Sequence, residues 1–316
     1  MTEASSDRSH TPPEVLFVTS NRIGDCVISS GIIAEINRQK PGARITVACG
    51  RPPAPFFRSA PGVEEIIILD KKPRGGHWLE LWCKVRARRW DMVIDIRGSA
   101  LAFLLRARER RVYSRALEKG TPKVELVTRL MRADAPVEPA IWLDARAHAD
   151  AAAVLGHDDV PMLAIAPIAL QPGKSWPSDR WGALIEALKG EPQMQGWRYL
   201  IVGGPGDEAA AADALRAAGG EGIDFVGRGD ILAAAAALSR ARMFVGNDSG
   251  LMHTSAALGR PTLGLFGPTE WWLYGPRGPR TETLASNQHG DFAPIESLSV
   301  DQVRDAVLAM KAKYEL

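Results

Sequence analysis

Residues Phe244 to Thr269 read F-V-G-N-D-S-G-L-M-H-T-S-A-A-L-G-R-P-T-L-G-L-F-G-P-T. An apolar run, Met243 to Gly246, enters a polar turn, Asn247-Asp248-Ser249-Gly250. A helix of small residues, Leu251 to Leu258, follows. A second apolar run, Thr262 to Phe266, ends in Gly-Pro. Strand, Asp-Ser-Gly turn and helix start together make an anion site, because unpaired N–H groups and the helix dipole point at the same spot. His253 lies on the next turn of the same helix. It reads either as a core histidine or as a group facing the same anion.

The same alternation fills the chain. Buried strands are expected at Glu14–Thr19, Arg44–Ala48, Glu65–Leu69 and Asp91–Ile96, where short apolar, β-branched runs are bounded by turn residues. A helix with Val27, Ile28, Ile32, Ile33 and Ile36 on one face follows the first strand, and Trp78–Arg89 reads as another. Leu101–Arg108 reads as a helix and Arg111–Ser114 as a short strand. Past Pro136 and Pro139 the pattern breaks, and Ala145–Leu155 reads as a helix. Strands then return at Met162–Pro167, Tyr199–Gly203, Asp224–Val226, Met243–Gly246 and Thr262–Phe266. Helices separate them at Ser178–Lys189, Glu208–Ala218, Ile231–Ala241 and Leu251–Leu258, and Val300–Lys313 closes the chain. Such alternation predicts α/β architecture with two parallel-sheet domains, 1–157 and 158–316, the first 13 residues forming a disordered lead-in. Ligands of these sheets sit at the carboxyl ends of the strands, here in the cleft between the domains.

Composition narrows the class. The 316 residues are 46% hydrophobic and 24% charged, as in soluble globular proteins. No apolar run reaches the ~18 residues of a membrane span. Met1 to Pro13 has no apolar core of a signal peptide, and the three cysteines form neither a disulfide framework nor a zinc pattern, so a cytoplasmic location is expected. Charge is uneven. Residues 1–150 hold 25 Lys+Arg against 18 Asp+Glu, and 84–132 alone hold 14 against 5. This reads as a face for an anionic partner or as solvated, Arg-rich helices. With few aromatics among the arginines, nucleic acid is not expected.

Three further stretches could carry chemistry. Asp25, after the first strand, reads as an N-cap or as a general base facing the cleft. Lys174, in Gly-Lys-Ser, is no P-loop lysine, since Ile168 stands where that motif needs glycine. It reads as a surface lysine or as a point charge on a phosphate. Gly204-Pro-Gly-Asp-Glu-Ala209 matches a dinucleotide fingerprint, but in the second βα unit of its domain rather than the first. Asp207 or Glu208 there could hold ribose hydroxyls. No DxD pair and no ligand-spaced His/Asp/Glu cluster is present, so no metal is expected.

Taken in order, Arg22-Ile-Gly-Asp25, Val93-Ile-Asp-Ile-Arg-Gly98, Lys174-Ser-Trp-Pro, Gly203-Gly-Pro-Gly-Asp-Glu208, Gly246-Asn-Asp-Ser-Gly-Leu-Met-His253 and Phe266-Gly-Pro-Thr269 resemble bacterial glycosyltransferase family 9, the ADP-heptose:lipopolysaccharide heptosyltransferases. The resemblance spans nearly the whole chain. It implies a GT-B fold, two Rossmann-like domains facing a central cleft. It also implies metal-independent, inverting transfer of a heptose from an ADP-sugar donor to the lipopolysaccharide inner core, without a cofactor. By the resemblance Asp25 is the general base and Lys174 binds phosphate. Asp248, Ser249, Gly250 and His253 form the donor loop, Asp207 or Glu208 lies at the ribose, and Gly229 near the adenine. Arg22 and Arg97 fall on the acceptor side. An anionic glycolipid acceptor and peripheral contact with the inner membrane are the implied partners. Ala169–Gly173 departs from the Thr-rich phosphate loop of some members. The alternatives are another nucleotide sugar or acceptor, a non-catalytic nucleotide-binding module and, from the Gly204 fingerprint, an NAD dehydrogenase.

Overall fold

A computed structural model describes residues 11–114, 120–171, 173–286 and 293–316. Most of the expected lead-in, residues 1–10, lies outside them.

The first half builds a parallel sheet from β1 (Glu14–Val18), β2 (Arg44–Cys49), β3 (Val63–Ile68), β4 (Trp90–Asp95) and β5 (Ala107–Val112), in the order β3-β2-β1-β4-β5. Helix α1 (Ile23–Gln39) and helix α3 (Lys123–Met131) cover one face, burying Cys26, Ile32, Ile33, Val127 and Met131 on Val15, Phe17, Ile45 and Ile94. Helix α2 (Gly76–Val85) and a 3-10 helix, Ala100–Leu104, cover the other, with Leu81, Val85, Leu101 and Ala102 on Leu16, Val18 and Val93. Odd and even strand residues thus divide between the faces, as the period of two requires.

The second half is a six-stranded parallel sheet: β6 (Met162–Ala166), β7 (Arg198–Gly203), β8 (Gly222–Val226), β9 (Met243–Asn247), β10 (Thr262–Phe266) and β11 (Thr281–Ala285), ordered β11-β10-β9-β6-β7-β8. Helices α5 (Ser178–Lys189), α6 (Glu208–Ala218) and α10 (Val300–Lys313) lie on one face, and α7 (Ile231–Arg240) and α8 (Gly250–Ala257) on the other. A short α9 (Trp271–Tyr274) follows β10. Helix α4 (Ala145–Leu155) buries Ala147, Ala151 and Leu155 among Ile223, Phe225 and Leu232, so it packs on this second sheet.

Counted from its own first strand, the first sheet runs 3-2-1-4-5 and the second 3-2-1-4-5-6. The order reverses beside β1 in one and beside β6 in the other, and the crevice for a ligand opens at each reversal. Val27 and Phe56 from the first half join the apolar cluster of Leu232, Phe244 and Met252 in the second. The two halves therefore share a seam beside α1 and α8, which pack against each other.

The expected helix at Leu101–Arg108 and strand at Arg111–Ser114 are replaced by the 3-10 helix and by β5 from Ala107. Arg110 explains the change. Its guanidinium donates to the carbonyls of Ala102, Leu105 and Ala107 at 2.9, 2.6 and 3.1 Å, capping oxygens that a continuing α-helix would have used. Helix α2 likewise stops at Val85, not Arg89, because β4 begins at Trp90. Helices α3 and α9 and strand β11 had no counterpart among the expected elements.

Candidate active site

The site begins with the turn after β1. Thr19 and Ser20 follow the strand, and Arg22 is the N-cap residue of α1 without a side-chain capping bond. Asp25 is therefore not the N-cap. It stands in the first turn of the helix, half-buried, and its Oδ2 accepts the Ser20 hydroxyl at 3.1 Å. Beside it, at the end of β4, the buried Asp95 accepts the backbone N–H groups of Arg97 (2.8 Å) and Ser99 (3.0 Å) and the Ser99 hydroxyl. Burial nonetheless holds this carboxyl above its ordinary range. The folded-back loop presents Arg97 outward, where its Nη1 donates to Asn21 at 2.9 Å and its guanidinium lies 5.4 Å from the Trp78 ring centre. Arg22 and Arg97 are both exposed at this reversal point of the first sheet.

Across the seam, the loop after β6 carries Lys174 and the turn after β9 carries Asp248 and Ser249. Buried Asn247 staples the two: its Nδ2 donates to the Pro167 carbonyl (2.7 Å) and its Oδ1 accepts the Trp176 N–H (3.1 Å). Trp176 in turn donates its indole N–H to Leu298 at 3.0 Å. The loop so fixed sets Lys174 Nζ 2.6 Å from Asp248 Oδ2. Asp248 does not cap α8; the N-cap is Ser249, which makes no capping bond and whose buried hydroxyl has no partner. Asp248 Oδ1 lies 4.0 Å from Nε2 of His253. Burial pushes the His253 imidazole below its ordinary pKa, opposed by the carboxylates of Asp248 and Asp25 and aided by Lys174. The neutral ring is thus the favoured form.

The two helix starts meet. A methyl on Gly250 would stand 2.4 Å from Cγ2 of Ile23, and one on Gly24 would stand 3.2 Å from Cδ2 of His253. Only glycine at both positions lets α1 and α8 close so tightly. Two positive helix ends, one from each half, therefore converge on a space bordered by Asp25, Lys174, Asp248, Ser249 and His253.

The remaining candidates extend the row rather than the cluster. Strands β9, β6, β7 and β8 are neighbours, so their following loops stand side by side over about 14 Å at ~4.8 Å per strand. Asp207 Oδ2 accepts the Gly204 N–H at 2.7 Å and closes its own turn, while Glu208 accepts the Gly206 N–H at 3.2 Å. Gly227 N–H bonds the Gly203 carbonyl at 3.0 Å, joining this turn to the loop that holds Gly229, whose φ of 74° needs glycine. The Gly204 turn follows β7, outside the reversal point, which is why its fingerprint does not mark a dinucleotide site. Asn247, Ser20 and Asp95 hold other groups in place; Ser20 and Asp95 do so within their own turns, and Asn247 only where distant loops meet. Among the described residues no group of three or more His, Cys, Asp or Glu could hold a metal ion. None of their helices is long and apolar enough to cross a membrane.

Known proteins share this fold. The family described as glycosyltransferase family 9 (heptosyltransferase) matches residues 112–294. Lipopolysaccharide heptosyltransferase 1 of Pseudomonas aeruginosa is 28% identical over 307 residues, 86% of this chain and 84% of that one. The glycosyltransferase family 9 structure from Veillonella parvula superposes with a TM-score of 0.82 at 18% identity, covering 95% of this chain and 98% of that one. The E. coli heptosyltransferase WaaC, solved with ADP-2-deoxy-2-fluoro heptose, gives 0.68 at 21%, covering 94% and 99%. The fold is GT-B, as those neighbours have it. The chain is a glycosyltransferase and belongs to glycosyltransferase family 9, the heptosyltransferase family.

Proposed function

We propose that the protein transfers a heptose from ADP-heptose to the inner core of lipopolysaccharide, by a single inverting displacement that needs no metal. The observation that carries the proposal is the Lys174–Asp248 pair at the reversal point of the second sheet, facing Asp25 across the joined starts of α1 and α8. The relative from P. aeruginosa is named a lipopolysaccharide heptosyltransferase, which supports the transferred group and the acceptor, and the WaaC neighbour was solved with ADP-2-deoxy-2-fluoro heptose, which supports the donor.

The donor lies along the row of loops. Its nucleoside end sits by Gly229 and Glu208, its diphosphate at the α8 start with Lys174, and its sugar beside Asp248. Asp207 serves the ribose through the turn that it closes. Asp25 accepts the proton of an acceptor hydroxyl as that oxygen bonds to the anomeric carbon. The bond from that carbon to the phosphate oxygen breaks, and ADP leaves with the electron pair. Its growing charge is met by the Lys174 ammonium, the Ser249 hydroxyl and the N–H groups of Ser249 and Gly250. Here the lysine supplies the counter-charge that a metal supplies elsewhere. Attack from the side opposite the leaving group inverts the anomeric centre. Arg22 and Arg97 bind the anionic acceptor at the rim of the first sheet, and the basic first half rests on the inner membrane that bears it.

A thermal-shift panel of ADP, UDP, GDP and NAD tests the donor, because a ligand of the native state raises its stability. ADP gives the largest shift on this reading. A larger shift with UDP or NAD contradicts it.

A further inference from the structure

The layer of α2 and the Ala100–Leu104 3-10 helix turns its inner side chains to the first sheet, but its outer side is unusual. Leu79 is 63% exposed and Phe103 and Leu104 are 67% exposed. These are three of the four large apolar side chains that stand in solvent among the described residues. Trp78 and Trp82 flank Leu79 on α2, half-buried, with the guanidinium groups of Arg97 and Arg86 at 5.4 and 4.7 Å from their ring centres. Lys71, Arg74, Lys84, Arg86, Arg89 and Arg106 sit on or next to the same two elements and have no ion pair among the described residues. Glu80, the acidic residue of α2, is already neutralised by Lys72. Apolar tips within a ring of cations that have no ion pair among the described residues call for a partner with an anionic surface and an apolar interior. They suit a bilayer of anionic lipid, where the tips enter the acyl boundary and the cations are drawn to the charged headgroups.

We infer that the protein docks on an anionic bilayer through this layer, with Leu79, Phe103 and Leu104 inserted. The inference deepens the glycolipid reading of the acceptor and rests on it for the choice of a membrane as occupant. Arg97 links the two, since it stacks on Trp78 of the docking layer and bonds Asn21 at the mouth of the site. A glycolipid in the same bilayer would then meet the cleft sugar-first.

Cys83 on α2 is exposed while Cys26 and Cys49 are buried, so the whole protein offers one native thiol for a polarity-sensitive dye at this layer. The dye should shift to the blue with vesicles of phosphatidylglycerol and phosphatidylcholine, less with phosphatidylcholine alone, and back again at high salt. Leu79→Ser with Phe103→Ser and Leu104→Ser should weaken vesicle co-flotation about tenfold or more. The same variant should keep turnover on a soluble, delipidated core oligosaccharide. Undiminished flotation of the variant, or no dye shift in the unmutated protein, overturns the docking surface. So does loss of self-association in place of loss of vesicle binding. Failure of turnover on the soluble core by the unmutated protein sinks the heptosyl reading instead, whatever the vesicles show.

Discussion

Lys174 Nζ and Asp248 Oδ2 are 2.6 Å apart, and the pair joins the loops on either side of the second sheet's reversal point. On the proposed function, donor binding would exchange one anionic partner of Lys174, the Asp248 carboxylate, for another, the diphosphate, and free Asp248 toward the sugar.

Lys174→Met removes the cation from this exchange. A transition-state charge contact of this kind is worth about 100–1,000-fold in kcat. The stability loss is smaller, ~1–3 kcal/mol from leaving Asp248 buried beside a neutral group. Steady-state rates and urea midpoints measured together check the ratio. A variant that unfolds readily but, where folded, turns over at the normal rate would place Lys174 in the scaffold only.

Gly250→Ala puts a methyl 2.4 Å from Ile23 and wedges the two helix starts apart. Overpacking of this order costs about 1–3 kcal/mol. Because the wedge lies between the halves, ADP affinity should fall along with the melting temperature. Adding Ile23→Gly removes both Ile23 atoms of the clash, Cγ2 at 2.4 Å and Cβ at 2.7 Å, and should restore part of both. No recovery in the double variant would mean that α1 and α8 do not close on each other as described.

His253 gives the site a pH signature. Its folded pKa lies below the unfolded value of about 6.5, with burial the leading cause. The unfolded chain therefore binds this proton more readily than the native one. Stability is full above about pH 6.5 and falls as the pH drops below it toward the folded value. His253→Gln lacks that proton, so its urea midpoint should vary less over the same window. Equal slopes for the two proteins would show that His253 is not held neutral.

Asp95 is a positioning residue for Arg97. Asp95→Asn keeps the size but leaves one acceptor oxygen where two serve the Arg97 N–H on one side and the Ser99 N–H and hydroxyl on the other. The apparent KM for the glycolipid acceptor should rise severalfold while the ADP-induced thermal shift stays unchanged. A weaker ADP shift would show that the loop serves the donor side.

How far the chain announces this depends on how local each cause is. Strands such as Val15–Val18 and Leu163–Ala166 are buried on both faces, so their apolar runs mark them without any partner. Strand β11 is an edge strand of half-buried Thr, Glu and Ala, defined by pairing with β10 rather than by its own pattern. Helix α3 carries a clear apolar face of Val124, Val127 and Met131, masked by the arginine-rich stretch around it. Asp25 and Asp248 are visible as acids at strand-to-helix turns. Spacing alone does not separate capping from chemistry, and in both cases a neighbouring residue holds the cap position. The staple at Asn247 and the orphan hydroxyl of Ser249 exist only once distant loops meet, so nothing in the order of residues points to them.

In the proposed heptose transfer, Asp25 takes the acceptor's proton. Asn at this position keeps the side-chain size and a hydrogen-bonding partner for Ser20, so folding and ADP binding should be unaffected. The decisive measurement is single-turnover transfer from ADP-heptose to an inner-core acceptor by the unmutated protein and by Asp25→Asn. Transfer by the first, and a rate about 100- to 10,000-fold lower in the second, is the predicted result. Equal rates would contradict the assignment of the base, and no transfer from ADP-heptose by the unmutated protein would contradict the reaction itself.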